Sequence, residues 1–302
     1  MLSIARLAMK GPVAASLSAA IYAILALLFA PFLVITGAVV CLSGLRHGDA
    51  AGVKVALFAT ITAGGMFFIA LNGSRLGAGL LVVLLPLVLL ASVLRRTNNQ
   101  ALALVLAAAF AAAYAVFMRS TVGDIEAYWS TRLATFGDAV VAQGGRFLSA
   151  EELSLVSGMM HGTTVVLVLL FLLGSILLGR WWQSALYNPG GFGTEFRELV
   201  LPKPLLIGAA IVSVFSLLSI GSSAGVGLVG DILLLLMVLF ALQGLATVHY
   251  RAKENGIPSI LLALLYVFLV FLPHIVGVVL AFMGIVDNVL DFRKLRAKQP
   301  RS

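Results

Sequence analysis

The sequence predicts an all-α membrane protein, a polytopic transmembrane bundle of eight to ten helices. Three observations predict it. Hydrophobic residues make up 61% of the 302 and charged residues 11%, and the mean hydropathy is +1.11, a balance far from that of water-soluble domains. The apolar residues run in long blocks without strict alternation, and at membrane depth such blocks satisfy their backbone hydrogen bonds as helices rather than as a barrel. The Lys and Arg residues, twenty in all against twelve Asp and Glu, fall mostly on alternate loops. With the N-terminus in the cytoplasm sixteen lie inside and only Arg75, Arg119, Arg132 and Arg146 lie outside, which is the positive-inside pattern with both ends cytoplasmic. The net charge of +8 is therefore read as orientation, and no nucleic-acid partner is expected.

In chain order the apolar runs are 13–30, 31–45, 54–71, 76–94, 100–118, 157–178, 205–221, 228–248, 258–271 and 273–289. Several are shorter than the ~20 residues a full span needs, so 13–45 and 258–289 each read either as one long kinked helix or as two short ones. Pro31 and Pro273 lack a backbone donor and restrict the residue before them, which favours a break at each. One span at the C-terminal end would also put the basic tail, 290–302, outside and break the charge pattern. The start of the chain has no small-residue cleavage site closing a short apolar core, so it is read as an uncleaved first span. Cys41 lies inside an apolar run and reads as a small buried hydrophobe.

Two segments interrupt the apolar pattern of a single membrane domain covering 1–302. In the first, 119–156, Ile125, Tyr128, Trp129, Leu133, Phe136 and Val140 recur at helical spacing, which predicts an amphipathic helix on the extracytoplasmic side. Ser149 followed by Glu152 is the pattern of a capping box that opens the next span. The helix is either a lid over an outward-facing cavity or a surface helix that only packs.

The second interruption, 179–204, is polar and aromatic and falls on the cytoplasmic side by the charge pattern. Trp181 and Trp182 follow Arg180 at the end of a span and suit the headgroup boundary. Tyr187, Asn188, Pro189, Gly190, Gly191 and Phe192 then predict a sharp turn, since proline fixes one dihedral and paired glycines permit positive φ. A short helix capped by Thr194 and stopped by Pro202 and Pro204 should follow. The loop is a candidate docking surface for a cytoplasmic protein.

The stretch from Arg180-Trp181-Trp182-Gln183 through Tyr187-Asn188-Pro189-Gly190-Gly191-Phe192 to Glu195-Phe196-Arg197 resembles the signature loop of the YybS-like bacterial membrane proteins, a family of unknown function. Pro31-Phe32-Leu33 and Leu45-Arg46-His47-Gly48 are similar to that family's beginning. The family in turn resembles the S-components of energy-coupling-factor transporters, which bind a small molecule and dock on a membrane coupling subunit. The resemblance implies a bacterial inner membrane location. It also implies a role for Ala15, Ala19 and Ala23, which repeat at four-residue spacing and let a second helix approach closely, whether from a coupling subunit or from this chain.

Ionisable groups inside apolar runs are functional candidates because lipid is costly for them. His161, Asp231, His274 and Asp287 qualify; Asp231 reads as a helix N-terminal carboxylate and Asp287 as interfacial. Arg46, His47 and His161 are the candidate cavity residues. No metal-ligand spacing, phosphate loop or cofactor motif is present, and none of these groups is expected. Gly221-Ser222-Ser223-Ala224-Gly225 with His274 fits the pattern of an intramembrane serine protease, but an ordinary outer glycine-serine turn explains it better and the expected stabilising residues have no counterpart. The expectation is a non-enzymatic solute-binding or transport-related subunit in contact with lipid, with a membrane scaffold as the alternative.

Overall fold

The computed structural model describes residues 1–70, 76–219 and 227–292. They form thirteen helices and no strand: α1 Leu2–Ala8, α2 Pro12–Leu25, α3 Phe32–His47, α4 Asp49–Ala70, α5 Leu76–Thr97, α6 Gln100–Val122, α7 Ile125–Ala142, α8 Ala150–Tyr187, α9 Gly191–Arg197, α10 Pro204–Ser219, α11 Gly227–Glu254, α12 Ser259–Phe271 and α13 Pro273–Leu290. The basic tail after Phe292, the 221–225 turn and Arg75 lie outside the described residues.

Among the described residues each apolar run carries a helix. Six helices are long and apolar enough to cross a membrane, namely α4, α5, α6, α8, α11 and α13, while α2, α3, α10 and α12 are shorter. The chain breaks at both deciding prolines, with α2 ending at Leu25 before Pro31 and α12 ending at Phe271 before Pro273. By helix rise α12 is about 20 Å long, short of a ~30 Å hydrocarbon core. In contrast α8, with 38 residues, runs about 57 Å and must project beyond the apolar layer. None of the residues of α12 is buried, so its apolar surface faces lipid.

The chain divides into two compact units. The first comprises Met1–Ala107, Leu170–Pro202 and the chain from Leu239 onward; the second comprises Ala108–Leu169 and Lys203–Val238. The first unit is held by small residues at helix crossings, as lipid offers no hydrophobic drive between helices and packing must supply it. A Cβ on Gly244 of α11 would lie 1.9 Å from the Leu280 carbonyl oxygen of α13, and one on Gly284 would lie 1.9 Å from the Phe240 carbonyl oxygen. The two backbones therefore touch. Gly37 and Gly179 bring α3 and α8 together in the same way, against Ser175 and Cys41.

Ala15, Ala19 and Ala23 are buried along α2, and the Thr36 hydroxyl of α3 donates to the Ala19 carbonyl at 3.1 Å. These alanines pack against the chain's own helices. Beneath the same unit lies a fully buried polar clasp. Gln243 donates to Asp287 at 2.8 Å and accepts from the Leu201 amide at 3.0 Å, and Asn288 donates to the Leu201 carbonyl at 2.8 Å. Asp287 is thus buried inside the bundle, where Gln243 supplies a donor that composition does not reveal.

In the second unit α7 appears where the amphipathic spacing put it, with Asp124 as N-cap accepting from the Ala127 amide at 2.9 Å. The capping box is formed in both directions, Ser149 N–H to Glu152 at 2.8 Å and Glu152 N–H to Ser149 at 3.3 Å. Ser154 of α8 donates to Glu126 of α7 at 3.3 Å.

Candidate functional site

The parts of α6, α8 and α11 that belong to the second unit bring a charged cluster together. On α6, Ala111 and Ala115 are buried at four-residue steps that lead to Arg119. On α8 the buried face runs Ser157, His161, Val165, Leu169, and on α11 it runs Asp231, Leu235, Leu239. Each polar group thus stands on the inward stripe of an otherwise apolar helix. Arg119 Nε donates to Asp231 Oδ2 at 2.7 Å. His161 Nε2 lies 3.4 Å from the same oxygen, an ion-pair distance for a protonated ring but not a well-formed hydrogen bond. Tyr114 stacks over His161 at 6.3 Å between centroids.

The side chains of Asp231 and His161 are 5% and 1% exposed, whereas that of Arg119 is 29% exposed. Among the described residues Arg119 uses only Nε on protein, so the edge formed by Nη1 and Nη2 carries no protein acceptor. His161 Nδ1 is buried without a hydrogen-bond partner among the described residues. Asp231 is the fifth residue of α11, near the helix N-terminus, and it also pairs with a cation 112 positions away. One turn beyond Arg119, Val122 begins a concavity of about 680 Å³ along α7, where Arg132 lies over the Tyr128 ring at 4.2 Å.

The 179–204 loop is a separate site in the first unit. Gly190 takes the left-handed conformation at φ 88° and starts α9 directly, so the helix begins at Gly191 and Thr194 lies inside it instead of capping it. Ser184, which the sequence did not single out, fixes the turn: its hydroxyl donates to the Asn188 carbonyl at 2.7 Å and accepts from the Phe192 amide at 2.9 Å. Arg180 bridges Glu195 and Gln183. Phe192, Phe196, His249 and Tyr266 form a chain of ring contacts, closed by a 2.7 Å hydrogen bond between His249 Nε2 and the Tyr266 hydroxyl.

A concavity of about 690 Å³ opens over this turn, lined by Trp181, Asn188, Pro189, Gly190, Gly191, Phe192 and others. Trp182 is not a boundary anchor. It is fully buried, since consecutive helical residues diverge by about 100° and only Trp181 faces outward. Arg46 is exposed and lies 4.2 Å over the Tyr187 ring, and His47 is exposed beside it; both belong to the unit that carries the loop, while His161 belongs to the other. His274 is exposed at the start of α13. Among the described residues no group of three His, Cys, Asp or Glu is placed to hold a metal.

A family model described as "Predicted membrane protein (DUF2232)" matches residues 148–288. The matched region is just under half of the chain. It contains His161, the loop and Asp231, and leaves Arg119 outside. Neither the curated proteins nor the solved structures give a match. The chain is similar, over that region, to a family of membrane proteins whose description carries no activity.

Proposed function

We propose that this chain is a solute-binding, transport-related membrane subunit that takes its ligand at Arg119, His161 and Asp231. The observation that carries the reading is the Arg119–Asp231 pair with His161 beside it. Ionisable groups inside apolar helices are costly and mark ligand or ion pathways by default, and this pair keeps one cationic edge partly open. The charge asymmetry of the loops supports an extracytoplasmic position for the cluster, both termini in the cytoplasm and a bacterial inner membrane. The likeness of the 180–197 stretch to YybS-like proteins, and of those to transporter S-components, supports a subunit that works with a coupling partner. With ten apolar helices the chain elaborates whatever core it shares with S-components.

The experiment is a small-solute screen by thermal unfolding of the detergent-purified full chain. A stabilising solute whose effect disappears in His161→Ala and survives in Asn188→Ala supports the reading. Solutes that stabilise both variants equally, or none that stabilise at all, refute it.

A second reading rests on the ordered turn and its concavity, where Ser184 and Arg180 organise a surface with no evident need for order in a simple connector. In that reading Tyr187 to Phe192 dock a cytoplasmic protein and the chain is a scaffold. Loss of a co-purifying protein in Gly190→Ala, with retention in His161→Ala, would favour it.

A further inference from the structure

We infer that the solute carries a carboxylate, bound end-on by the Nη1 and Nη2 edge of Arg119; this rests on the solute-binding reading above. Asp231 holds the guanidinium through Nε at 2.7 Å, which fixes the plane of the group and leaves the two-donor edge directed away from its anchor. Such a planar fork matches the two oxygens of a carboxylate in a bidentate pair. A neutral solute would leave that edge without a matching acceptor.

The charge count selects the class further. One arginine already shares its charge with a carboxylate whose side chain is 5% exposed. A dianionic phosphate would set three negative charges around one cation in a low-dielectric setting, while a monocarboxylate sets two. His161 borders the same Asp231 carboxylate at 3.4 Å, and the Tyr114 ring stacks on His161 at 6.3 Å.

The test measures binding of benzoate and butyrate to the purified full chain, against benzamide, butyramide and inorganic phosphate, by calorimetry and thermal shift. The acids are expected to bind at least ten-fold more tightly than their amides and than phosphate. Arg119→Lys, which keeps the charge and loses the fork, is expected to weaken the acids ten-fold or more. Because Arg119→Ala alone strands Asp231, the companion variant is the double Arg119→Ala with Asp231→Ala, its fold checked by circular dichroism, and it should lose the preference for acids. Equal binding of acid and amide, preference for phosphate, or an unaffected Arg119→Lys each overturn the inference. Should only neutral solutes bind, and in a His161-dependent way, the carboxylate falls while the solute-binding reading stands; if no solute of either kind binds, both fall.

Discussion

Arg119 and Asp231 are joined by a 2.7 Å hydrogen bond across 112 residues of sequence, tying the end of α6 to the second turn of α11. The two ends of the pair differ, because the side chain of Asp231 is 5% exposed and that of Arg119 29%. Breaking a buried pair leaves an uncompensated charge at a cost of about 3–5 kcal/mol, while removing both partners costs far less. Arg119→Ala should therefore destabilise more than Asp231→Ala, and Arg119→Met with Asp231→Leu should recover most of the loss. Thermal unfolding in detergent checks the order.

The glycine crossing of α11 and α13 gives a sharper contrast. Gly244→Ala and Gly284→Ala each place a methyl 1.9 Å from a carbonyl oxygen, so the helices must separate. A loss of several kcal/mol is expected, beyond the ~1–3 kcal/mol of ordinary overpacking. Gly277→Ala in α13 and Gly208→Ala in α10 meet nothing within 4 Å and should be neutral or slightly stabilising, since alanine is the better helix former.

Ser184→Ala removes one donor and one acceptor from the turn that leads into α9. A loss of about 1–3 kcal/mol of local stability is expected, with new protease cleavage between Asn188 and Arg197 and an unchanged global unfolding temperature. Gly190→Ala should behave alike, because φ 88° costs an alanine about 1–2 kcal/mol.

Gln243→Leu deprives the Leu201 amide of its acceptor and Asp287 of a donor in a fully buried setting. A destabilisation of about 1–3 kcal/mol should follow from the buried Leu201 amide that loses its acceptor. Hydrogen exchange should then speed up around Leu199 to Leu201, where the clasp holds the chain entering α10.

The helices were readable because lipid imposes one rule on every segment: apolar length plus internally satisfied backbone. Pro31 and Pro273 marked breaks by local chemistry, and Ser149 with Glu152 marked a helix start by a contact three residues long. The start of α9 was misread because its determinant is the Ser184 hydroxyl, a tertiary contact from the preceding helix. Trp182 was misread because a pair of adjacent tryptophans hides the 100° step that separates them.

The charged cluster was half legible. His161 and Asp231 stood out as ionisable groups in apolar runs, but Arg119 was counted as a loop cation. A signal was present: Ala107, Ala111 and Ala115 step by four to Arg119, and all three alanines are buried. No local pattern could show that this stripe meets Asp231, since their pairing spans most of the second unit.

The most direct test of a solute site at this cluster is mass spectrometry of small molecules that co-purify with the full chain from its native membrane. Wild-type protein should carry a solute that is absent from Arg119→Lys and His161→Ala preparations of equal fold and present in Asn188→Ala. An identical small-molecule content in all four, or no bound solute in any, would contradict the account.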